Sequence, residues 1–132
     1  MLNNDIIIAG SAVTDKSLSD FAMENSIGGF EFLSCIPGTV GGGIKMNAGC
    51  FEREFKDILV SVQAIDKSGK VITIPAKQIN FEYRGSSLSD DLIFLSASFK
   101  GFNKNKDLIQ NEIKKLKAKK EKSQPTRIKT SG

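Results

Sequence analysis

Residues 28–49 read Gly28-Gly29-Phe30-Glu31-Phe32-Leu33-Ser34-Cys35-Ile36-Pro37-Gly38-Thr39-Val40-Gly41-Gly42-Gly43-Ile44-Lys45-Met46-Asn47-Ala48-Gly49, and hold seven of the chain's twelve glycines. Each glycine in a regular element costs roughly 0.5–1 kcal/mol against alanine, so a stretch this rich in them answers a need for backbone shapes or close approaches that side chains forbid. A diphosphate ligand creates such a need. Consecutive N–H groups from Gly38 to Gly43 are expected to point into one concavity and bind phosphate oxygens, with the Thr39 hydroxyl as a further donor. A helix opening near Gly42 would add its positive end. Two better-known phosphate loops are excluded. The stretch is not GxGxxG within a βα unit. Nor is it GxxxxGK[ST], because Lys45 is followed by Met46. Glycine content alone leaves a second reading open, a crossover packed tightly in a core.

On the N-terminal side, Asp5-Ile6-Ile7-Ile8-Ala9 is a β-branched run that reads as a buried strand stopped by Gly10. Thr14 or Asp15 caps a helix with Leu18, Phe21, Ala22 and Asn25 at helical spacing, expected to run to about Ser26 and to end at Gly28-Gly29. On the C-terminal side, residues 58–66 alternate as a strand, with Ile58, Val60, Val62 and Ala64 on one face. Lys67-Ser68-Gly69 turns the chain into a return strand over 70–74. Pro75 opens a short helical turn, Leu92 to Phe99 reads as a further strand, and Lys106 to Lys122 as a helix striped by Leu108, Ile109, Ile113 and Leu116. The order strand, helix, glycine loop, hairpin, strand, helix predicts an α+β fold, a mostly antiparallel sheet with flanking helices.

The 132 residues suffice for one domain with a core, and 39% hydrophobic with 26% charged residues is an ordinary globular balance. No apolar run is long enough to span a membrane, and residues 1–5 lack the marks of a secretory signal, which together point to the cytoplasm. Histidine is absent, so histidine-based zinc sites, Ser-His-Asp triads and Cys-His dyads are excluded within this chain. Cys35 and Cys50 form no CxxC and read as small buried hydrophobes. The net charge of +4 is unevenly spread: residues 1–102 carry nine Lys/Arg against twelve Asp/Glu, and residues 103–132 carry ten against three.

Three segments resemble, in order, the signature of the UDP-N-acetylenolpyruvoylglucosamine reductases, flavin enzymes of peptidoglycan precursor synthesis. Phe30-Glu31-Phe32 followed by Ile36-Pro37-Gly38-Thr39-Val40-Gly41-Gly42 and Asn47-Ala48-Gly49 is the first. Glu54-Phe55-Lys56-Asp57, leading into the hairpin, is the second. Phe81-Glu82-Tyr83-Arg84-Gly85-Ser86-Ser87, similar to a Tyr-Arg-x-Ser segment, is the third. The likeness runs from about Gly10 to Gln124-Pro125.

The resemblance implies the second subdomain of a vanillyl-alcohol-oxidase/PCMH-type FAD-binding fold, over 1–102. Residues 103–132 become a basic helix and tail leading toward a substrate-binding domain. It implies FAD as cofactor, NADPH as reductant and a UDP-sugar as substrate. The cofactor-lining residues it implies are Gly10, Ser11, Ile36, Pro37, Gly38, Thr39, Gly41, Gly42, Gly43, Asn47 and Gly49. Arg84 is the implied catalytic residue, because a guanidinium fork binds the enol carboxylate as charge builds on it. Tyr83 lines the implied substrate site, a packed tyrosine being the other reading. The proton-donating serine of the family would fall one position past Gly132. The first subdomain and the domain that closes over the sugar would lie outside the chain as well. The expectation is therefore a fragment, inactive alone, with complementing chain fragments as one way to complete it. It should bind FAD weakly or not at all by itself, and expose apolar sheet surface.

Two other readings stay open. One is a different FAD-linked oxidoreductase of the same fold. The other is a non-catalytic remnant or anion-binding module that uses Lys114, Lys115, Lys117, Lys119, Lys120 and Lys122. No nucleic acid is expected as a partner, since the basic tail lacks stacking aromatics and any reader motif. A solvated helix face accounts for those lysines.

Overall fold

The structure, a computed structural model, describes residues 2–3, 5–79, 81–82, 85–86 and 92–123. Its centre is a five-stranded antiparallel sheet of β1 (Leu2–Asn3), β2 (Ile6–Gly10), β6 (Leu59–Ile65), β7 (Val71–Pro75) and β10 (Ile93–Lys100), in the order β1-β2-β10-β6-β7. Three helices belong to the fold: α1 (Asp15–Glu24), α2 (Val40–Met46) and α3 (Lys106–Ser123). Two-residue strands pair outside the main sheet: β3 (Ile27–Gly28) with β11 (Phe102–Asn103), β4 (Gly49–Cys50) with β5 (Arg53–Glu54), and β8 (Phe81–Glu82) with β9 (Gly85–Ser86). The expected α+β architecture holds, with α1 and α2 packed against one face of the sheet and α3 lying on α1.

Period-two burial explains that face. Ile7 and Ala9 of β2, Val62 and Ala64 of β6, and Ala97 and Phe99 of β10 are buried in register with one another. They meet Leu18 and Ala22 of α1, Val40 and Ile44 of α2, and the aromatic trio Phe30, Phe55 and Phe99, whose rings stack edge to face at 6.0–6.2 Å. The β2 run is thus buried on one face only, and Ile8 looks outward at 41% exposure. In β6 the expected face of Ile58, Val60, Val62 and Ala64 is interrupted. A bulge between the Ser98–Ser61 and Phe99–Leu59 pairs turns Val60 outward and buries Leu59.

α1 begins as expected and ends early. Thr14 caps it by accepting the Ser17 N–H, and Asn25 closes it with its own N–H and amide on the last carbonyls. Ser26 then takes a φ of +57°, so the chain has turned before Gly28-Gly29. α3 spans almost the expected residues, but Leu108 points to solvent while Ile109 and Ile113 bury. The helix lies on α1 and on a 3₁₀ helix (Glu31–Cys35) that the sequence reading left undivided. No helix among the described residues is long and apolar enough to cross a membrane.

Candidate functional site

The glycine loop does not form one continuous amide cradle. It runs antiparallel to the segment that leaves β2. The Val40 N–H donates to Val13 O at 2.9 Å, the Gly41 N–H to Ser11 O at 3.0 Å, and the Asp15 N–H to Gly38 O at 3.0 Å. Thr14 and Thr39 face each other across this pairing. The Gly43 N–H donates to Thr39 O as the first turn of α2. The expected concavity of six amides from 38 to 43 is therefore corrected: Val40, Gly41 and Gly43 are held by the protein itself.

What remains accessible is narrower. Pro37, Gly38, Thr39 and Gly42 are exposed, beside exposed Ala12 and Thr14. The Gly42 N–H makes a long 3.3 Å bond to Thr39 Oγ1, the N-cap of α2. A hydroxyl oxygen that accepts in this way keeps its proton for donation. Thr14 and Thr39 each cap a helix, and their pairing sets the starts of α1 and α2 side by side. The sequence placed the second helix start near Gly42; the cap is Thr39, three residues earlier.

The glycines divide by duty. Gly38 has a φ of +118°, which an L side chain rarely adopts, and a Cβ there would meet nothing nearer than Asp15 Oδ2 at 3.9 Å. Gly41 faces Ser11 Cβ at 3.2 Å, and a Cβ on Gly43 would fall within the Phe55 ring. Both permit close packing, which the core-crossover reading anticipated. Gly42 lies in open space apart from the Thr39 hydroxyl at 3.6 Å. Gly10 and Ser11 stand half-buried at the exit of β2, where Ser11 holds Gly41, and Ile36 packs against the core. Asn47 is 1% exposed in the left-handed C-cap position of α2, and its Oδ1 accepts the Lys56 N–H at 3.1 Å. Gly49 lets the β4–β5 hairpin close against the Arg53 carbonyl. The Asn-Ala-Gly segment thus shapes the exit of α2 rather than the exposed turn. Tyr83 and Arg84 lie outside the described residues, between β8 and β9.

Asp15 and Ser19 sit one helical turn apart beneath this ridge at 0% and 1% exposure. Among the described residues, neither Asp15 oxygen nor Ser19 Oγ has a hydrogen-bond partner. Burial pushes the Asp15 carboxyl up to about 7. Local sequence signals only a capping role for Asp15. A second group escaped it entirely. Glu31, 4% exposed, accepts the Gly29 N–H at 2.8 Å and the Lys104 ammonium at 2.8 Å, and Lys104 also binds Glu112 at 2.6 Å. Burial opposes the Lys104 charge, but the Glu112 and Glu31 carboxylates outweigh it and raise the pKa. Among the described residues no group of three His, Cys, Asp or Glu is placed to hold a metal ion.

Residues 2–75 match the family described as FAD binding domain, more than half of the chain. The chain belongs to the FAD binding domain family. Its relatives within reach of sequence comparison agree. The UDP-N-acetylenolpyruvoylglucosamine reductase of Pelagibacter ubique is 68% identical over 132 residues, which cover 100% of this chain and 44% of that protein. The reductase of the same name from Rickettsia bellii is 44% identical over 126 residues, 96% of this chain and 42% of that one. The crystal structure of the Thermus caldophilus enzyme of that name superposes with a TM-score of 0.83 at 27% identity, over 96% of this chain and 47% of its own. The resemblance seen in the sequence therefore extends through fold as well as motif, and the chain spans less than half the length of these curated relatives. The paired caps at Thr14 and Thr39 and the exposed Pro37–Gly38–Thr39 turn form the accessible part of this loop. The Thr39 hydroxyl can donate there, whereas Thr14 Oγ1 already donates to Ser17 Oγ at 2.9 Å.

Proposed function

We propose that this chain forms one wall of the FAD site of a flavin-dependent reductase, one that uses NADPH to convert UDP-GlcNAc-enolpyruvate to UDP-N-acetylmuramate in the cytoplasm. The observation that carries this is the juxtaposition of two threonine-capped helix starts at the exposed Pro37–Gly38–Thr39 turn, in a chain similar throughout to reductases of that name. FAD would supply hydride transfer when bound. The chain's own part is positional. Thr14, Thr39 and Gly42 would hold the cofactor diphosphate, with Gly10, Ser11, Ile36, Pro37 and Gly38 lining it. Gly41, Gly43, Asn47 and Gly49 would fix the backbone that presents it. Arg84 would pair with the substrate carboxylate as its charge rises, and Tyr83 would line the same pocket. The strand β9, which follows Arg84, packs beside α2, the helix that the glycine loop opens. Residues 1–102 would act as the second FAD-binding subdomain, and 103–132 as the connection to a substrate-binding domain.

Alone, the chain would offer a half-site, bind FAD weakly, lose it on purification and turn nothing over. Complementing chain fragments would be one way to complete the site. The basic helix gives little support to an anion-binding module. Of its named lysines, Lys119 stands over the Phe51 ring and Lys120 donates to the Cys35 carbonyl.

Turnover tests the proposal. The natural gene product containing this chain, given FAD and NADPH, should oxidise NADPH only when the enolpyruvyl UDP-sugar is present. Arg84→Ala should lower that rate by about 10²–10³-fold, the range seen when a charge-stabilising donor is removed. NADPH oxidation indifferent to the sugar would favour a different FAD-linked oxidoreductase of this fold.

A further inference from the structure

Asp15 is a buried ionisable group for which the proposed chemistry has no use. It occupies the first turn of α1, directly after the Thr14 cap, and its N–H ties the helix to the Gly38 carbonyl. Both carboxyl oxygens and the neighbouring Ser19 Oγ are sealed from solvent with no partner among the described residues. The exposed Pro37–Gly38–Thr39 turn lies beside Asp15 Oδ2, and a Cβ placed on Gly38 would come within 3.9 Å of that oxygen. A charge placed there lies behind the turn where the Thr14 and Thr39 caps pair.

We propose that Asp15 gates this anion site by its charge: uncharged, it leaves both helix starts free to attract the diphosphate, and ionised, it opposes the ligand through the Gly38 turn. The inference rests on the FAD reading of the site. Other charges facing α1 do not replace Asp15 in this role. On α1 itself Lys16 and Asp20 pair with each other at 3.2 Å in solvent. On the 3₁₀ helix Glu31 is neutralised by Lys104, and Cys35 is the other titratable group. On α3 Lys106 pairs with Glu24, and Lys120 reaches the Cys35 carbonyl. The 36–39 turn and the 10–14 loop contain no ionisable side chain. Burial is the cause that shifts Asp15, and it sets the switch near neutrality.

The test is a two-dimensional NMR titration of the full chain with FAD, a method that registers weak binding. It would be run about one unit below and about one unit above the Asp15 midpoint. Amide shifts at Thr14, Thr39 and Gly42 should report roughly five- to tenfold tighter binding at the lower pH, the size of a nearby like charge at intermediate dielectric. Asp15→Asn should bind equally at both. Independently of any variant, saturating FAD should raise the midpoint of the Asp15 carboxyl carbon signal, since coupling is reciprocal. Shifts at Thr14 and Thr39 with an unmoved Asp15 midpoint would overturn the gating and leave the FAD site standing. No shift at these amides at either pH, in the chain or in the natural gene product that contains it, would overturn the site itself, and the gating with it.

Discussion

Asp15 also determines how stability should vary with pH. Its folded value of about 7 lies above the 3.8 of an ordinary carboxyl, so the folded chain holds this proton more tightly than the unfolded one. The associated stability is complete below about 4, falls as pH rises toward 7, and is gone above it, a loss of up to roughly 4 kcal/mol. Asp15→Asn should flatten this slope and leave the variant more stable than the parent in mild alkali. Urea melts across that range would show it, and parallel slopes in the two proteins would contradict the account. Two neighbouring glycines make a second contrast at the same scale. Gly43→Ala would drive a methyl into the Phe55 ring and should cost about 1–3 kcal/mol. Gly42→Ala meets open space on a helix and should be neutral or gain up to about 1 kcal/mol. Thermal melts separate the pair, and an equal loss at both would mean that the division of glycines by duty is mistaken.

Among the elements, the clasp between the 3₁₀ helix and α3 is the most exacting. Glu31 is almost wholly buried, and removing Lys104 leaves its carboxylate with the Gly29 N–H alone. Lys104→Met should therefore destabilise by about 3 kcal/mol or more, whereas Lys16→Met, which breaks an exposed pair, should change stability by less than about 1 kcal/mol. Chemical denaturation of the two variants checks the ranking, and a Lys104→Met loss no larger than that of Lys16→Met would refute it. This clasp also marks what the sequence could and could not disclose. The Thr14 cap, the hairpin around Lys67-Ser68-Gly69 and the span of α3 were legible, because each is signalled by residues within a turn or two of one another. Glu31 and Lys104 stand 73 positions apart, and no local period announces such a pair. The same holds for the pairing that removes the Val40 and Gly41 amides from the site: the motif specifies the glycines, while the 10–14 segment determines which amides stay open. The Val60 bulge likewise depends on register against β10.

At the scale of the whole molecule, the two faces of the sheet differ in what covers them. Helices and the glycine loop bury one. On the other, Val71, Ile65 and Ile93 line up across three strands in direct register, with Val71 56% and Ile93 62% exposed and Leu95, skipped between the Phe94–Ala64 and Ser96–Gln63 pairs, 39% exposed. A row of β-branched residues on an uncovered sheet face is an association surface, since each buried aliphatic side chain contributes about 1.5–3 kcal/mol when removed from water. The chain by itself should therefore self-associate with rising concentration, and salt should weaken this little because the row carries no charge. Ile93→Lys places an ammonium in the centre of the contact. It should shift the dimerisation midpoint upward by about tenfold or more, the equivalent of at least ~1.4 kcal/mol. It should leave the fold intact, because the opposite face holds the core. Sedimentation at several concentrations distinguishes the cases. A parent that stays monomeric at high concentration, or a lysine variant that associates as readily as the parent, would show that this face is no association surface.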